Sequence, residues 1–231
     1  MLDAIPVPAL SDNYIWLLIA SGSEDAIVVD PGEAEPILRA LDQRGLGVAA
    51  ILVTHHHGDH VGGLREVADR FPEAPVYGPA AEKVAGVTQG VHGGDRVEVP
   101  ALDVTFDVLD TPGHTSGHIA FHGGGLLLCG DTLFAGGCGR VFEGTNAQML
   151  DSLARLAELP DDTLGCCGHE YTLKNLAFAR AVEPDNAAIA ERESGARELR
   201  QSERATVPFR LGDERETNPF LRCDEPTVRR A

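Results

Sequence analysis

Seven consecutive residues, Thr54-His55-His56-His57-Gly58-Asp59-His60, constrain this chain more than any other stretch. Just before them, Val48 to Val53 form a run with the length and β-branching of a buried strand. Just after them, Leu64, Val67, Ala68 and Phe71 recur at helical spacing. The fold must therefore end a buried strand in a polar loop and turn at once into a helix. Four histidines and an aspartate in such a loop point to metal ligation, because imidazole is the common borderline ligand and carboxylate the common hard one. Side chains alternate along an extended strand end, so His55 and His57 project to one side and His56 points away. Gly58 permits a sharp turn, after which Asp59 and His60 open the next helix and face a second position. One strand end thus offers two ligands to each of two metal ions.

The rest of the chain supplies a scaffold and the missing ligands. Leu2 to Asp30 reads as three strands in hairpin-like succession, and residues 33–44 as a helix with Ile37, Leu38 and Leu41 on one face and Gly45 as its cap. The stretches PVYGP, DRVEVP, LDVTFDVLDT, GHIAFH and LLLCGD read as further strands, residues 146–159 as a helix bearing Leu150, Leu153 and Leu156, and TLGCCGHEY as a last strand ending at His169. Residues 172–206 are patterned as helix. The expected class is α+β, with two mixed sheets packed face to face and helices outside. A catalytic domain over 1–170 and a mostly helical C-terminal domain over 171–231 are expected. His114 follows a Pro-Gly turn and can complete a set of three nitrogens with His55 and His57. Asp131, with two carboxylate oxygens, can bridge both ions, and His169 can join Asp59 and His60. All of these fall at predicted strand ends, where loops gather functional residues. His92, His118 and His122 lack a second signal and are read as structural or exposed, with His118 a possible support for a ligand.

Composition narrows the partners. Lys plus Arg total 19 against 36 Asp plus Glu, a formal net charge of -17, which disfavours nucleic acid and anionic membrane surfaces. The five cysteines are odd in number and their one close pair, Cys166-Cys167, is vicinal, so reduced thiols are expected. The N-terminal residues show no signal pattern, and no apolar stretch approaches the roughly 20 residues of a spanning helix. A cytoplasmic monomer acting on a small molecule is the expectation.

The motifs THHHGDH, TPGHTSGH, GDT and CGHEYT together resemble the ligand pattern of the metallo-β-lactamase superfamily. Within it, GDTLFAGGCGRVFEGT and GHEYTLKNLAFARAVEP resemble hydroxyacylglutathione hydrolases, the glyoxalase II family, and the likeness runs from residue 1 to about residue 222. The resemblance implies a four-layer αββα sandwich with a helical C-terminal domain closing the site. It implies hydrolysis of S-D-lactoylglutathione to D-lactate and glutathione, a step of methylglyoxal detoxification. It gives His55, His57 and His114 to one metal, Asp59, His60 and His169 to a second, and Asp131 to both. Zinc is the expected ion, though nitrogen and oxygen donors suit iron and manganese too. Arg140 and Tyr171 stand where the family contacts glutathione. Phe142 stands where some members have tyrosine, so a hydroxyl contact is missing there. The chain also stops nine residues after Arg222, whereas similar proteins continue into a basic helical stretch that contacts the glycine carboxylate. Arg229 and Arg230 are not equated with those positions, and weaker recognition of that carboxylate is the expectation.

Two cations about 3.5–4 Å apart lower the pKa of a shared water enough to present hydroxide at neutral pH. Asp59 or Asp131 is the candidate to shuttle a proton. Rival functions are a persulfide dioxygenase on the same fold with a single iron, a lactamase or other hydrolase, and a metal-binding module without activity. The complete ligand set with His169 argues against the first and the glutathione-family positions against the second. Metal-dependent thioester turnover would exclude the third.

Overall fold

The computed structural model describes residues 2–231. The chain opens with β1 (Leu2–Ala9), β2 (Asn13–Ala20) and β3 (Asp25–Val29), then α1 (Ala34–Arg44), β4 (Gly47–Leu52), the single turn α2 (Gly58–Val61) and α3 (Leu64–Arg70). Next come β5 (Val76–Pro79), β6 (Gln89–Val91), β7 (Arg96–Val99), β8 (Val104–Asp110), β9 (Ile119–Gly123) and β10 (Leu126–Gly130). The hairpin β11 (Leu133–Phe134) and β12 (Gly137–Cys138) precedes α4 (Asn146–Ala157), β13 (Leu164–Cys167), α5 (Thr172–Val182), α6 (Ala187–Gln201), β14 (Phe209–Arg210) and α7 (Leu211–Thr217).

Two mixed six-stranded sheets face each other, one ordered β1-β2-β3-β4-β5-β6 and the other β14-β13-β10-β9-β8-β7. The β2 strand shows how the layers form. Its Tyr14, Trp16 and Leu18 enter the core between the sheets, while Ile15 and Leu17 pack outward with Ile37 and Leu41 of α1 and Leu64 and Val67 of α3. Both faces are buried, so β2 is apolar from Tyr14 to Ala20 and shows no polar alternation. Trp16 also donates its indole N–H to the Cys167 carbonyl at 2.9 Å, tying the first sheet to β13 of the second.

Strand direction gathers the site. Pairing of β8 with β9 and of β9 with β10 is antiparallel, and that of β10 with β13 is parallel, so β8, β10 and β13 all run one way. Their C-terminal ends therefore open on a common edge. The end of β4 meets that edge through a bond from the Ile119 N–H to the Thr54 carbonyl, 3.0 Å.

The helical C-terminal segment braces the same edge. Glu214 is fully buried and accepts from Arg192, from the Asn218 amide at 2.9 Å and from the Gly136 N–H at 2.8 Å. Asn218 also donates to the Gly137 carbonyl at 2.9 Å. A buried carboxylate left unpaired would be strongly destabilising, so these bonds fix the β11–β12 hairpin against α6 and α7.

Three details depart from the sequence expectation. Asp59 and His60 lie on their own turn, α2, which Gly62 and Gly63 separate from α3. In α4 the buried face is Met149, Ser152, Leu153 and Leu156, while Leu150 is 49% exposed. Positions 149, 153 and 156 follow the helical repeat of four and three, from which 150 is rotated away. Strands β6, β11, β12 and β14 are two or three residues long, too short for alternation to register.

Candidate metal centre

His55 and His57 leave the end of β4, His114 the loop between β8 and β9, Asp131 the end of β10 and His169 the end of β13, with Asp59 and His60 on α2. The potential ligand atoms of His55, His57 and His114 lie within 4.8 Å of one another, as do those of Asp59, His60 and His169. His114 Nε2 is 3.0 Å from His57 Nδ1. Asp131 reaches both sets. Its Oδ1 is 3.3 Å from His60 Nε2, and its Oδ2 is 3.2 Å from His169 Nε2 and 3.4 Å from His114 Nε2. The backbone crowds in closely enough that a Cβ on Gly168 would stand 2.5 Å from Asp131 Oδ1 and 2.6 Å from the His60 ring. Only glycine fits there.

Four of the five rings are aimed by a bond on the far nitrogen, while His57 turns its Nδ1 toward His114 Nε2. Thr54 Oγ1 donates to Asp30 Oδ2 at 2.7 Å and so accepts from His55 Nδ1 at 3.0 Å. His114 Nδ1 donates to the Arg140 carbonyl at 2.8 Å. His60 Nδ1 faces Asp30 Oδ2 at 3.1 Å, and His169 Nδ1 faces Asp12 Oδ1 at 2.9 Å. In those four rings Nε2 is left pointing inward, as a ligand nitrogen must. Asp30, Asp12 and Thr54 stand behind the candidate ligands, contacts that the sequence reading missed. Asp30 has φ 49, a left-handed conformation that costs about 1–3 kcal/mol in a non-glycine residue and is held here by its two bonds from Thr54. That outlier is visible only in the folded chain. His118, fully enclosed, accepts from the Asp131 N–H at 3.2 Å and stacks on His55, so it braces two of the candidate ligands.

Electrostatics divide the rings. Burial, aided by neighbouring histidines, holds His55 below the ordinary histidine range, and burial also lowers His114. Burial brings His118 down to about 3, so it is a neutral acceptor. Burial opposes charge on His60 and His169 too, but carboxylates outweigh it. Asp131 and Asp30 raise His60 well above its usual value, and Asp131, Asp59 and Asp12 raise His169 to about 10. Asp59 is lowered chiefly by its bond from His169, and Asp131, despite its burial, by His60 and His169.

Three buried polar atoms here have no hydrogen-bond partner: His55 Nε2, His60 Nε2 and Asp131 Oδ1. Orphaned buried atoms cost free energy, and inward-facing lone pairs on nitrogen and carboxylate oxygen are what a divalent cation takes up. The residues fit such ions.

A cavity of about 570 Å³ opens over the cluster, lined by His57, Asp59, His114, Asp131 and His169 with Phe134, Arg140, Phe142 and Tyr171 at its walls. A larger cavity, about 740 Å³, lies behind it against Asp12 and Tyr14 and holds none of the ligands. The Arg140 guanidinium carbon sits 5.1 Å from the centroid of Phe142, a ring 59% exposed. Tyr171 stacks on His169 at 4.7 Å, and burial with nearby carboxylates pushes its phenol up to about 12. His56 points away from the cluster, toward Glu82 and Glu143. Arg222 is paired with Glu183 and Arg229 with Asp224, and neither lines the cavity. All five cysteines are free thiols.

Comparison with known proteins places these features. Residues 11–169 match the model of the metallo-beta-lactamase superfamily, and residues 170–231 that of the hydroxyacylglutathione hydrolase C-terminus. A hydroxyacylglutathione hydrolase of Nitrosomonas eutropha is 51% identical over 99% of this chain and 88% of its own length. One of Xanthomonas euvesicatoria pv. vesicatoria is 53% identical over 98% of this chain and 88% of its own length. Among solved structures, TTHA1623 in a di-iron-bound form aligns with a TM-score of 0.66 and 26% identity, over 94% of this chain and 100% of that one.

Proposed function

This chain belongs to the hydroxyacylglutathione hydrolase family of the metallo-β-lactamase superfamily, and from that premise we propose that it hydrolyses S-D-lactoylglutathione to D-lactate and glutathione with two divalent ions. The observation that carries the reading is the convergence of two ligand triads on Asp131, with His55 Nε2, His60 Nε2 and Asp131 Oδ1 awaiting a partner. His55, His57 and His114 would hold one ion, Asp59, His60 and His169 the other, and Asp131 both. Zinc is our assignment, on donors that also suit iron and manganese. Ions so held supply Lewis acidity and an acidified water beside the thioester carbonyl.

The chain's own groups do the rest. Phe134, Phe142 and Tyr171 line the cavity and exclude water from the thioester. Arg140 offers its guanidinium at the rim to a carboxylate of the glutathione peptide. Asp59 and Asp131 are held anionic by their histidine neighbours, so their part in proton transfer is to accept. No acid is needed for the leaving group, because a thiol of pKa about 8.5 departs readily as thiolate. Residues 1–170 act as the catalytic unit, and residues 171–231 brace the Phe134-to-Arg140 segment and contribute Tyr171.

No helix among the described residues is long and apolar enough to cross a membrane. We take the protein to act in the cytoplasm as a monomer. The test is an assay of purified protein on S-D-lactoylglutathione, following thiol release. Turnover should be abolished by a chelator and restored by zinc; metal-replete protein without turnover would overturn the reading.

A further inference from the structure

The middle histidine of the cluster has no place in either ligand set, yet both of its ring nitrogens are engaged. His56 Nδ1 lies 2.8 Å from Glu82 Oε2 and His56 Nε2 lies 3.2 Å from Glu143 Oε1. Both carboxylates also grip the loop that carries His114. Glu82 Oε1 accepts from the Thr115 hydroxyl and from the Gly117 N–H at 3.1 Å, and Glu143 Oε2 accepts from the Ser116 N–H at 2.9 Å. We propose that His56, Glu82 and Glu143 form a latch that clamps the His114 loop to the end of β4, making them positioning residues for the His55, His57 and His114 triad.

The loop is held at contact distance: a Cβ on Gly117 would stand 2.6 Å from Glu82 Cγ and 2.9 Å from Ala81 Cβ. Glu82 has a side chain only 5% exposed, and its three bonds all go to the two ligand-bearing segments. None of the latch residues lines the cavity over the ligands. None of their bonds reaches Asp59, His60 or His169. The latch sets the approach of His114 to His57, 3.0 Å between ring nitrogens, and leaves the second triad alone. His56, His57 and Glu143 also come within 4.8 Å of one another, but both His56 nitrogens already face carboxylates, so this group is bracing and not a third cation site.

The inference rests on reading the cluster as a metal centre and is independent of which thioester is cleaved. Its test is a zinc titration of the metal-free full chain against a chromophoric chelator, in the parent and in a His169→Ala background where the tight zinc left belongs to the first triad. Supports behind metal ligands are worth about ten- to hundredfold in affinity. Glu82→Ala should weaken the first-triad zinc by that amount and leave the other affinity of the parent unchanged. His56→Ala should move the same affinity in the same direction by less. Glu82→Gln keeps an acceptor for Thr115 and Gly117 and should recover most of the loss. Should Glu82→Ala fail to fold by circular dichroism, His56→Ala and Glu82→Gln carry the test. Unchanged first-triad affinity in His56→Ala, or equal weakening of both affinities, would overturn the latch. Thioester turnover is scored separately: a protein inactive on S-D-lactoylglutathione that shows these zinc shifts keeps the latch and loses the proposed reaction.

Discussion

The two candidate ligand triads share an edge of the sandwich but are backed by opposite chemistry. Behind the first, His55 leans on the Thr54 hydroxyl and His114 on the Arg140 carbonyl, both neutral acceptors. Behind the second, His60 leans on Asp30 and His169 on Asp12, both carboxylates. The consequence is visible in their proton affinities, lowered for His55 and His114 and raised for His60 and His169. His55 and His114, shifted down, are ready for a cation. A carboxylate-backed triad has more basic, stronger donors but must shed protons before an ion can bind. The second set, with His60 and His169 raised, is therefore the more proton-sensitive of the two.

Asp131 is the one candidate ligand that reaches both sets, so Asp131→Ala should erase the distinction. Both zinc affinities should fall by more than about a hundredfold, beyond what a supporting residue costs, with turnover lost alongside. Chelator competition on the variant checks this, and a loss confined to one affinity would show that the carboxylate serves one ion only.

Acidification should separate the triads. With His169 raised to about 10 and His60 also raised, both carry protons at neutral pH in the metal-free chain, and each lowers zinc affinity by about tenfold per unit as pH falls. His55 and His114 are shifted down, so they compete only in acid. Zinc titrations at pH 8 and pH 6 should show one affinity dropping by at least about a hundredfold and the other falling much less. Parallel declines would mean that the backing groups do not govern the ligands.

A subtler variant is Asp30→Asn, which keeps a side chain tolerant of the left-handed backbone but removes the charge behind His60. The second affinity should weaken by about ten- to hundredfold and become less pH-sensitive, measured by the same titration.

Smallest is Arg140→Ala. The backbone carbonyl that backs His114 survives this change, so metal binding should be untouched. KM for the glutathione thioester should rise about tenfold, the low end for a charge-assisted bond from an exposed guanidinium, with kcat nearly constant. An altered zinc affinity would reveal that the Arg140 side chain, not its carbonyl, supports the first triad.

Much of this was legible before folding. His55, His57, Asp59, His60, His114, Asp131 and His169 declare themselves by residue type at the ends of apolar runs, and strand direction does bring them together. The groups behind them do not. Asp30 in Val-Val-Asp-Pro-Gly reads as a turn residue, and Asp12 sits in a short loop between β1 and β2 like any polar punctuation. Their roles arise from contacts such as the 157 positions between Asp12 and His169, which no local pattern encodes. The β11–β12 hairpin was hidden for a related reason: two-residue strands carry no period, and its place is set by Glu214 and Asn218 some 80 residues away. Leu150 misled because leucines three apart resemble a helical face until the true repeat is drawn through Met149.

The central claim, two ions serving one thioesterase centre, meets its most direct test in stepwise reconstitution. Metal-free protein is titrated with zinc, and hydrolysis of S-D-lactoylglutathione is measured after each addition. Turnover should keep rising to about two equivalents per chain and then level off. A plateau at one equivalent, or full turnover in the metal-free protein, would contradict the account.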